Sequence, residues 1–435
     1  MTRSLLDTDW LKKLDRYRRL YIGYSGGLDS TVLLHNLISH CSLTNKLTAV
    51  HINHGLSPNA LTWQKHCEKF CSGYKIPLVI EQVEFTRQAN IEEEARKARY
   101  KAFARLLNEN DALVLGHHLN DQAETLLLQL FRGAGIDGLA AMAPIKQFAQ
   151  GELLRPFLHY SRQSLEDYAQ FHQLKWVDDE SNLDVSYTRN FLRHQVLPVL
   201  QQRWPAIETN LGRTTQHCQQ AKANLDDLAR IDCPSLNESS MTLPVASLHA
   251  LSQARLSNVL RVWFKCNQVK LPSTLIFNRV IKEVIQAKED ANPLVAWKDA
   301  CVRRYQQTLY LIKHEPKIVF QARMWPSFPK PLTIEGLGKI YAEQRDKGLV
   351  LPEQAKVEVR FRTGGELFNW HGQTKQLKKL FQEWHIPPWQ RDSIPLLYVN
   401  SLLAAVIGYA IADCFYDEGV LNAYQLFVNP TRYKN

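Results

Sequence analysis

The stretch Tyr21-Ile22-Gly23-Tyr24-Ser25-Gly26-Gly27-Leu28-Asp29-Ser30-Thr31 constrains this chain more than any other. An apolar strand runs into Ser-Gly-Gly-x-Asp-Ser and a helix starts at once. Gly26 and Gly27 permit backbone conformations closed to other residues and let an anion approach the main chain. The free N–H groups of the helix start, with their partial positive charge, then favour phosphate. Ser25, Ser30 and Thr31 add hydroxyl donors. Asp29 is chemically odd here, because a carboxylate repels phosphate unless a cation lies between them. It implies Mg²⁺ bridging to a nucleotide. A plain strand-to-helix turn capped by Asp29 or Ser30 would need Gly-Gly and one cap, not the whole hexapeptide. Ser25, Gly26, Gly27, Leu28, Asp29 and Ser30 are therefore the candidate nucleotide-binding residues. No G-x-x-x-x-G-K-[ST] loop occurs anywhere in the chain. Gly133-Ala134-Gly135-Ile136-Asp137-Gly138 matches G-x-G-x-x-G, but it follows a helical pattern instead of a strand, so a dinucleotide site is excluded by context.

Around this loop, strand-like and helix-like segments alternate. Apolar strand candidates are Leu20–Tyr24, Leu47–Asn53, Leu78–Glu84, Ala112–Gly116 and Leu153–Pro156, with helices expected at Ser30–His40, Leu61–Cys71, Ile91–Asn108 and Asp121–Arg132. This alternation predicts an α/β fold, a doubly wound parallel sheet with helices on both faces. The strands are short continuous apolar runs, as strands buried on both faces should be. Beyond Pro205, the residues Ile207, Leu211, Thr214, Cys218, Ala221, Leu225 and Leu228 form one mostly apolar stripe at helical spacing. The reading divides the chain into a nucleotide-binding catalytic domain (1–204), a connecting helix (205–232), a mainly helical basic domain (233–325), a Pro-dotted linker (326–349) and an α+β C-terminal domain (350–435).

The chain has 435 residues, 45% hydrophobic and 22% charged, an ordinary globular balance that argues against disorder or a coiled-coil rod. It has no apolar run of the ~18 residues a membrane span needs, and its charged N-terminus lacks a secretory pattern. No membrane association is expected, and a cytoplasmic location is. Eight scattered cysteines suit reduced thiols, not a disulfide scaffold. The net charge is +10, and it is uneven: residues 255–325 hold 13 Lys/Arg against 5 Asp/Glu, and residues 355–391 hold 7 against 3. A basic C-terminal half points to a polyanionic partner, most simply nucleic acid.

Ser25-Gly26-Gly27-Leu28-Asp29-Ser30 resembles the PP-loop of ATP pyrophosphatases, which cleave ATP to AMP and pyrophosphate. Further segments resemble one family within that group, the tRNA(Ile)-lysidine synthetases. They are His51-Ile52-Asn53-His54-Gly55-Leu56, Glu92-Glu93-Glu94-Ala95-Arg96-Lys97-Ala98-Arg99-Tyr100, and Gly116-His117-His118-Leu119-Asn120-Asp121-Gln122-Ala123-Glu124-Thr125 with Arg132-Gly133-x-Gly135-x-x-Gly138-Leu139. Asp179-Glu180-Ser181-Asn182-x-Asp184 and Arg189-Asn190 resemble a later family motif. Arg362-x-Gly364-Gly365, Lys378-Lys379-Leu380-Phe381 and Ile386-Pro387-Pro388-Trp389-x-Arg391 look like the family's terminal tRNA-contacting domain. Asn120 is a departure, since the family most often carries Asp there.

The resemblance implies adenylation of the wobble cytidine of an isoleucine tRNA with a CAU anticodon, followed by attack of the ε-amine of free lysine, so that the tRNA reads AUA instead of AUG. It implies ATP as substrate, with Mg²⁺, and Asp29, His117, Asp121, Glu124 and Arg96 as catalytic candidates. Asp121 and Glu124 share a helix face at i, i+3 and suit a lysine ammonium. His117, His118 or a carboxylate suits the proton that the amine must lose. Arg96 and Arg99 suit a carboxylate or phosphate. The pairs Glu92/Arg96 and Glu93/Lys97 also read as ordinary helix support, and Lys378-Lys379 also reads as a solvated face. Trp370, Trp384 and Trp389 suit either a core or base stacking. His51, His54, His66, Cys67 and Cys71 do not make a convincing zinc set, because the two cysteines lie at i, i+4 on an apolar helix face. A tRNA thiolase would need a catalytic cysteine or an iron–sulfur cluster. No C-x-x-C pair exists, and no cysteine is expected beside the phosphate loop. A non-catalytic RNA-binding protein is the other alternative, and the intact loop argues against it.

Overall fold

A computed structural model describes residues 4–53, 55, 57–83, 91–238, 240–288, 291–314 and 320–430. His54, Leu56 and the side chain of Glu92 fall outside that description. The chain forms two compact units, Met1–Asp227 and Leu228–Asn435.

In the first unit the strands are β1 Arg19–Gly23, β2 Leu47–Asn53, β3 Leu78–Gln82, β4 Asp111–Val114, β5 Ile145–Phe148 and β6 Gly151–Leu154. They form one sheet in the order β3-β2-β1-β4-β6-β5, parallel throughout except for the β5–β6 hairpin. The helices that place the site are α1 Thr8–Asp15, α2 Leu28–Ile38, α3 Ala60–Gly73, α4 Ile91–Leu106, α5 Leu119–Phe131, α6 Arg162–Phe171 and α7 Ile207–Asp232.

The alternating burial explains why these strands carry continuous apolar runs. Leu20, Ile22, Ala49, Ala112, Val114 and Leu154 enter one core, and the intervening Tyr21, Val50, Leu113 and Leu153 enter another. Side chains alternate across a strand with a period of two, and both faces are covered.

The hairpin strand β5 and the helices α1 and α6 are absent from the sequence reading, although both helices carry caps. Asp7 accepts the Trp10 N–H at 2.7 Å, and Ser161 accepts that of Ser164 at 3.2 Å. These are short polar start signals that a search for apolar periodicity passes over.

Strand order fixes where chemistry can happen. β1 connects through α2 towards β2, and the chain later returns to place β4 on the other side of β1. The C-terminal ends of β1 and β4 therefore border the crevice where such sheets bind ligands. The approach is close: a Cβ built on Gly116 would lie 2.8 Å from the Asp29 carbonyl oxygen.

The second unit has more sheet than the sequence reading expected. Its helices Gln253–Cys266 and Thr274–Arg279, the latter continuing as a π-helical stretch Val280–Ile285, pack with a four-stranded antiparallel sheet that contains Ala300–Tyr305 and Thr308–Lys313. The expected linker over 326–349 instead carries the strands Leu332–Ile334 and Gly338–Leu349, the second pairing along Tyr416–Pro430. Charged residues such as Glu343, Arg345 and Lys347 disguise it, because they sit on an exposed ribbon where they cost nothing.

The tryptophans are engaged by protein. Trp384 meets Trp370 edge-on at 5.4 Å and stacks on Tyr409 at 5.6 Å. Trp389 meets Tyr310 at 5.3 Å and Tyr305 at 6.2 Å, both edge-on, with the Arg303 guanidinium 5.0 Å from its ring. Arg391, buried, donates to the Ile386 carbonyl at 2.9 Å. Replacing Trp389 with Ala should therefore destabilise the second unit by about 2–3 kcal/mol, somewhat below the cost for a fully buried Trp. Trp389→Phe should recover most of this, as read from thermal unfolding of the full chain.

Candidate active site

The site starts where β1 ends. His51 donates its Nδ1–H to the Tyr24 carbonyl at 3.0 Å, tying β2 to the start of the loop. Gly26 holds a positive φ of 86°, and a Cβ there would lie 3.0 Å from the Cys67 sulfur and 3.2 Å from Val177 Cγ2. Glycine is required on both counts. Val177 N–H in turn donates to the Gly26 carbonyl at 3.0 Å.

Gly27 is the N-cap of α2 and supplies no side-chain cap. The first intrahelical bond runs from Thr31 N to Gly27 O at 3.0 Å, so the amides of Leu28, Asp29 and Ser30 precede the helical ladder. The Leu28 side chain is buried, and its contribution is this backbone amide. Ser30 Oγ accepts from Ser25 N at 3.2 Å and donates to Gly27 O at 3.0 Å, and Thr31 Oγ1 donates to Gly26 O at 3.3 Å. These two hydroxyls brace the loop, while Ser25 is exposed.

The second half comes from β4 and α5. His118 stands at the N-cap position of α5, and Asp121 Oδ2 accepts the His118 N–H at 3.0 Å. The buried His118 ring turns one nitrogen to two carboxylates: its Nε2 is 3.7 Å from Asp29 Oδ2 and 3.6 Å from Asp121 Oδ2. Neither ring nitrogen has a hydrogen-bond partner in the protein, and neither does the buried Asp29 Oδ1. Burial pushes the Asp29 carboxyl above the usual range and Asp121 adds to this, with His118, Arg162 and Arg193 opposing. Asp121 goes the other way. Burial alone would raise it, but His118, Arg189, His117 and the His118 amide hold it well below the usual carboxylate range.

His117, the histidine expected to be catalytic, points elsewhere. Its Nδ1 accepts from Arg155 Nε at 3.3 Å. Burial pushes its pKa down to about 3, against the pull of Asp121 and with help from Arg155, Arg189 and Arg96. It is neutral and a poor base near pH 7. Arg96 lies over the Tyr100 ring at 5.1 Å. On the same helix, Lys97 pairs with Glu93 at 3.2 Å and Glu94 at 2.7 Å on an exposed face, plain helix support.

Asp121 and Glu124 do share a face, but two arginines meet them there. Glu124 accepts from Arg189 Nε at 2.6 Å and from Arg193 Nε at 2.7 Å, and its side chain has no exposed surface. Asp121 Oδ1 lies 3.1 Å from Arg189 Nη2 and 3.4 Å from Arg193 Nη2. The expected role of Glu124 in holding a lysine ammonium is corrected accordingly: both its oxygens are taken and no ligand reaches them. Arg193 sits in a π-helical turn, Leu192–Val196, and such turns are frequent at functional sites. Asn190 clamps the neighbouring turn, donating to the Ser181 and Asp184 carbonyls at 2.8 and 2.9 Å.

Arg193 is thus the site residue that the candidates lacked, and His118, offered beside His117 for the proton, is the histidine that the fold sets against Asp29 and Asp121. Arg189 was visible in its motif, but only the fold pairs it with Glu124.

One further expectation fails. Cys67 does lie beside the phosphate loop, its sulfur 3.5 Å from His51 Nδ1. It is fully buried, and burial pushes its thiol up to about 12. It is a protonated packing group, not the thiolate that sulfur transfer needs.

Glu124→Gln should cost about 3 kcal/mol, because two desolvated guanidiniums lose their counter-charge. Glu93→Gln on the exposed pair should change stability by less than ~0.5 kcal/mol, and denaturant unfolding of both variants measures the contrast.

Comparison with known proteins matches three family models to the chain: a PP-loop domain over residues 5–200, a TilS substrate binding domain over 243–310 and a TilS substrate C-terminal domain over 357–422. Among curated relatives, the tRNA(Ile)-lysidine synthase of Legionella pneumophila (strain Paris) is 52% identical over 430 residues, covering 99% of this chain and all of that one. That of Coxiella burnetii (strain RSA 493 / Nine Mile phase I) is 40% identical over 94% of this chain and 93% of its own. That of Shigella flexneri is 40% identical over 93% and 94%. With a phosphate loop, a histidine-headed helix and two downstream family domains in one order along the whole length, this chain belongs to the tRNA(Ile)-lysidine synthase family.

Proposed function

We propose that this chain joins lysine to C2 of the wobble cytidine in an isoleucine tRNA with a CAU anticodon, with cleavage of ATP to AMP and pyrophosphate. The observation that carries the reading is the meeting of Asp29 at the phosphate loop with His118 and Asp121 at the start of α5, in a chain that its relatives match from end to end.

In the first step the C2 carbonyl oxygen attacks the α-phosphate and pyrophosphate leaves. The amides at the start of α2, with Ser25, Gly26, Gly27, Leu28 and Ser30, hold the β- and γ-phosphates and so present the α-phosphate. In the second step the lysine ε-amine attacks C2, AMP leaves with the oxygen, and the amine gives up a proton. Neutral His117 is a poor acceptor. We assign proton handling to His118, whose ring nitrogens have no protein partner, and we assign Asp121 to electrostatic support of the reacting centre. Glu124, Arg189 and Arg193 position α5. Arg96, on α4, stays in the proposal as a cation for phosphate or lysine carboxylate.

The residues fit Mg²⁺: hard cations take carboxylate oxygens, and Asp29 offers a buried oxygen that no protein donor meets. Asp29 would hold the ion, with Asp121 nearby, and the ion would neutralise phosphate charge.

The second unit would supply tRNA affinity. Not all of its cations are available. Arg255 pairs with Asp232, Arg279 with Glu283 at 2.7 Å, and buried Arg304 serves the Ile285 and Ala287 carbonyls at 3.0 and 2.8 Å. Lys378 and Lys379 are exposed and suit phosphate. No helix among the described residues is long and apolar enough to cross a membrane, and we place the reaction in the cytoplasm with its tRNA.

The test is incubation with ATP, Mg²⁺, labelled lysine and bulk tRNA. Label should become tRNA-bound through an alkali-stable nucleoside linkage. Only an alkali-labile ester, or none, would end the proposal.

Asp29→Asn should lower AMP formation at least ~100-fold while raising Tm at neutral pH. The sign follows from linkage: a carboxyl whose folded pKa is raised favours folding when protonated and loses that contribution as pH rises through the folded pKa. The variant's advantage should therefore shrink in acid, where the native carboxyl is also neutral. An Asp29→Asn protein less stable than the native one at pH 7.5 contradicts this account. Lys378→Ala and Lys379→Ala should each reduce the log–log salt slope of tRNA binding by about one if the residue touches phosphate, and an unchanged slope in both assigns the pair to solvent.

A further inference from the structure

Asn120, in the first turn of α5, makes two tertiary hydrogen bonds. Its Oδ1 accepts the backbone N–H of Arg162 at 2.9 Å, at the first turn of α6. Its Nδ2 donates to Glu208 Oε1, in the first turn of α7. One amide therefore ties together the starts of three helices. It sits between His118, at the N-cap position of α5, and Asp121, which accepts the His118 N–H. Leu119 N–H makes a parallel bond to the Tyr160 carbonyl at 2.9 Å, so the first turn of α5 is held by its backbone as well as by this side chain.

We infer that Asn120 and Glu208 are a matched pair that positions the catalytic first turn of α5 against α6 and α7. The chemistry of the pair is asymmetric. The Arg162 N–H requires an acceptor at position 120, and Glu208 Oε1, which accepts there, requires a donor. An amide satisfies both with its two ends, and a carboxylate satisfies only the first. With Asp at 120, two carboxylates would face each other at hydrogen-bond distance in a half-buried place, where each disfavours the charge of the other. Glutamine at 208 would restore the complement with donor and acceptor exchanged. Asn120 is thus read as the residue that Glu208 demands.

The inference rests on the proposed reaction only in its activity readout, since the coupling itself is a property of folding. The experiment is a double-mutant cycle on the full chain with Asn120→Asp, Glu208→Gln and the pair together, plus Asn120→Ala. Tm, kcat and the KM for ATP would be followed with ATP, Mg²⁺, lysine and tRNA, at a temperature well below every Tm. Asn120→Asp should lower Tm and reduce kcat about tenfold or more, with the KM for ATP moving less than about threefold, as for a group that orients the reacting centre. Glu208→Gln alone should stay within about threefold of the native enzyme, and the double variant should return there too. Asn120→Ala should also lose kcat, and Glu208→Gln should not rescue it. Native activity in Asn120→Asp, or no rescue by Glu208→Gln, overturns the pairing. Native kcat in Asn120→Ala overturns the positioning role. If the native chain itself modifies no tRNA, the functional reading fails, and the Tm cycle still tests the pair.

Discussion

The pairing of β1 with β4 is the constraint on which the rest of the site depends. These strands run parallel in the register Leu20 to Ala112 and Ile22 to Val114, so their C-terminal ends finish side by side. One continues into the phosphate loop and the other into the histidines that precede α5. Gly116 allows the second to pass against the Asp29 backbone with no side chain between them. Apolar burial on both faces of the sheet holds this register, because a slip by one residue would exchange the two cores.

That register creates an electrostatic problem which the surrounding helices solve. Asp29 and Asp121 are both brought to the Nε2 of one buried imidazole, and the Glu124 side chain has no exposed surface. The two arginines of the 188–203 helical run offset Glu124 and Asp121, leaving Asp29 as the carboxylate with an unmet oxygen. The charge balance thus divides the acidic residues into those met by arginines and one with an unmet oxygen. Their different pKa directions follow from it: Asp121, ringed by cations, is pulled down, while Asp29, buried with weaker compensation, is pushed up.

In the second unit the basic surplus serves two ends. Arg303 and Arg304 belong to the packing of the domain, one against Trp389 and the other on backbone carbonyls. A count of positive charge along the chain therefore overstates what can face a polyanion. Trp389 lies in a motif that reads as a nucleic-acid contact, yet its ring is occupied by two tyrosines and an arginine.

By itself, the sequence determined the parallel sheet, the phosphate loop and the long helix after Pro205, because these rest on local patterns: apolar runs, paired glycines and a helical stripe. It also carried Asp29, Asp121 and the histidine pair within one motif. Tertiary structure separated the two histidines, since His117 and His118 are neighbours in sequence and differ only in what the fold sets against them. Likewise, it decided that Glu124 is a neutralised support, because Arg189 and Arg193 are distant along the chain and meet it only through α5. It placed Cys67 beside the loop, and it turned the expected linker into two strands of a three-stranded antiparallel sheet. In each case the deciding partner is far away in sequence, and long-range pairing leaves no periodic trace in the residues that make it.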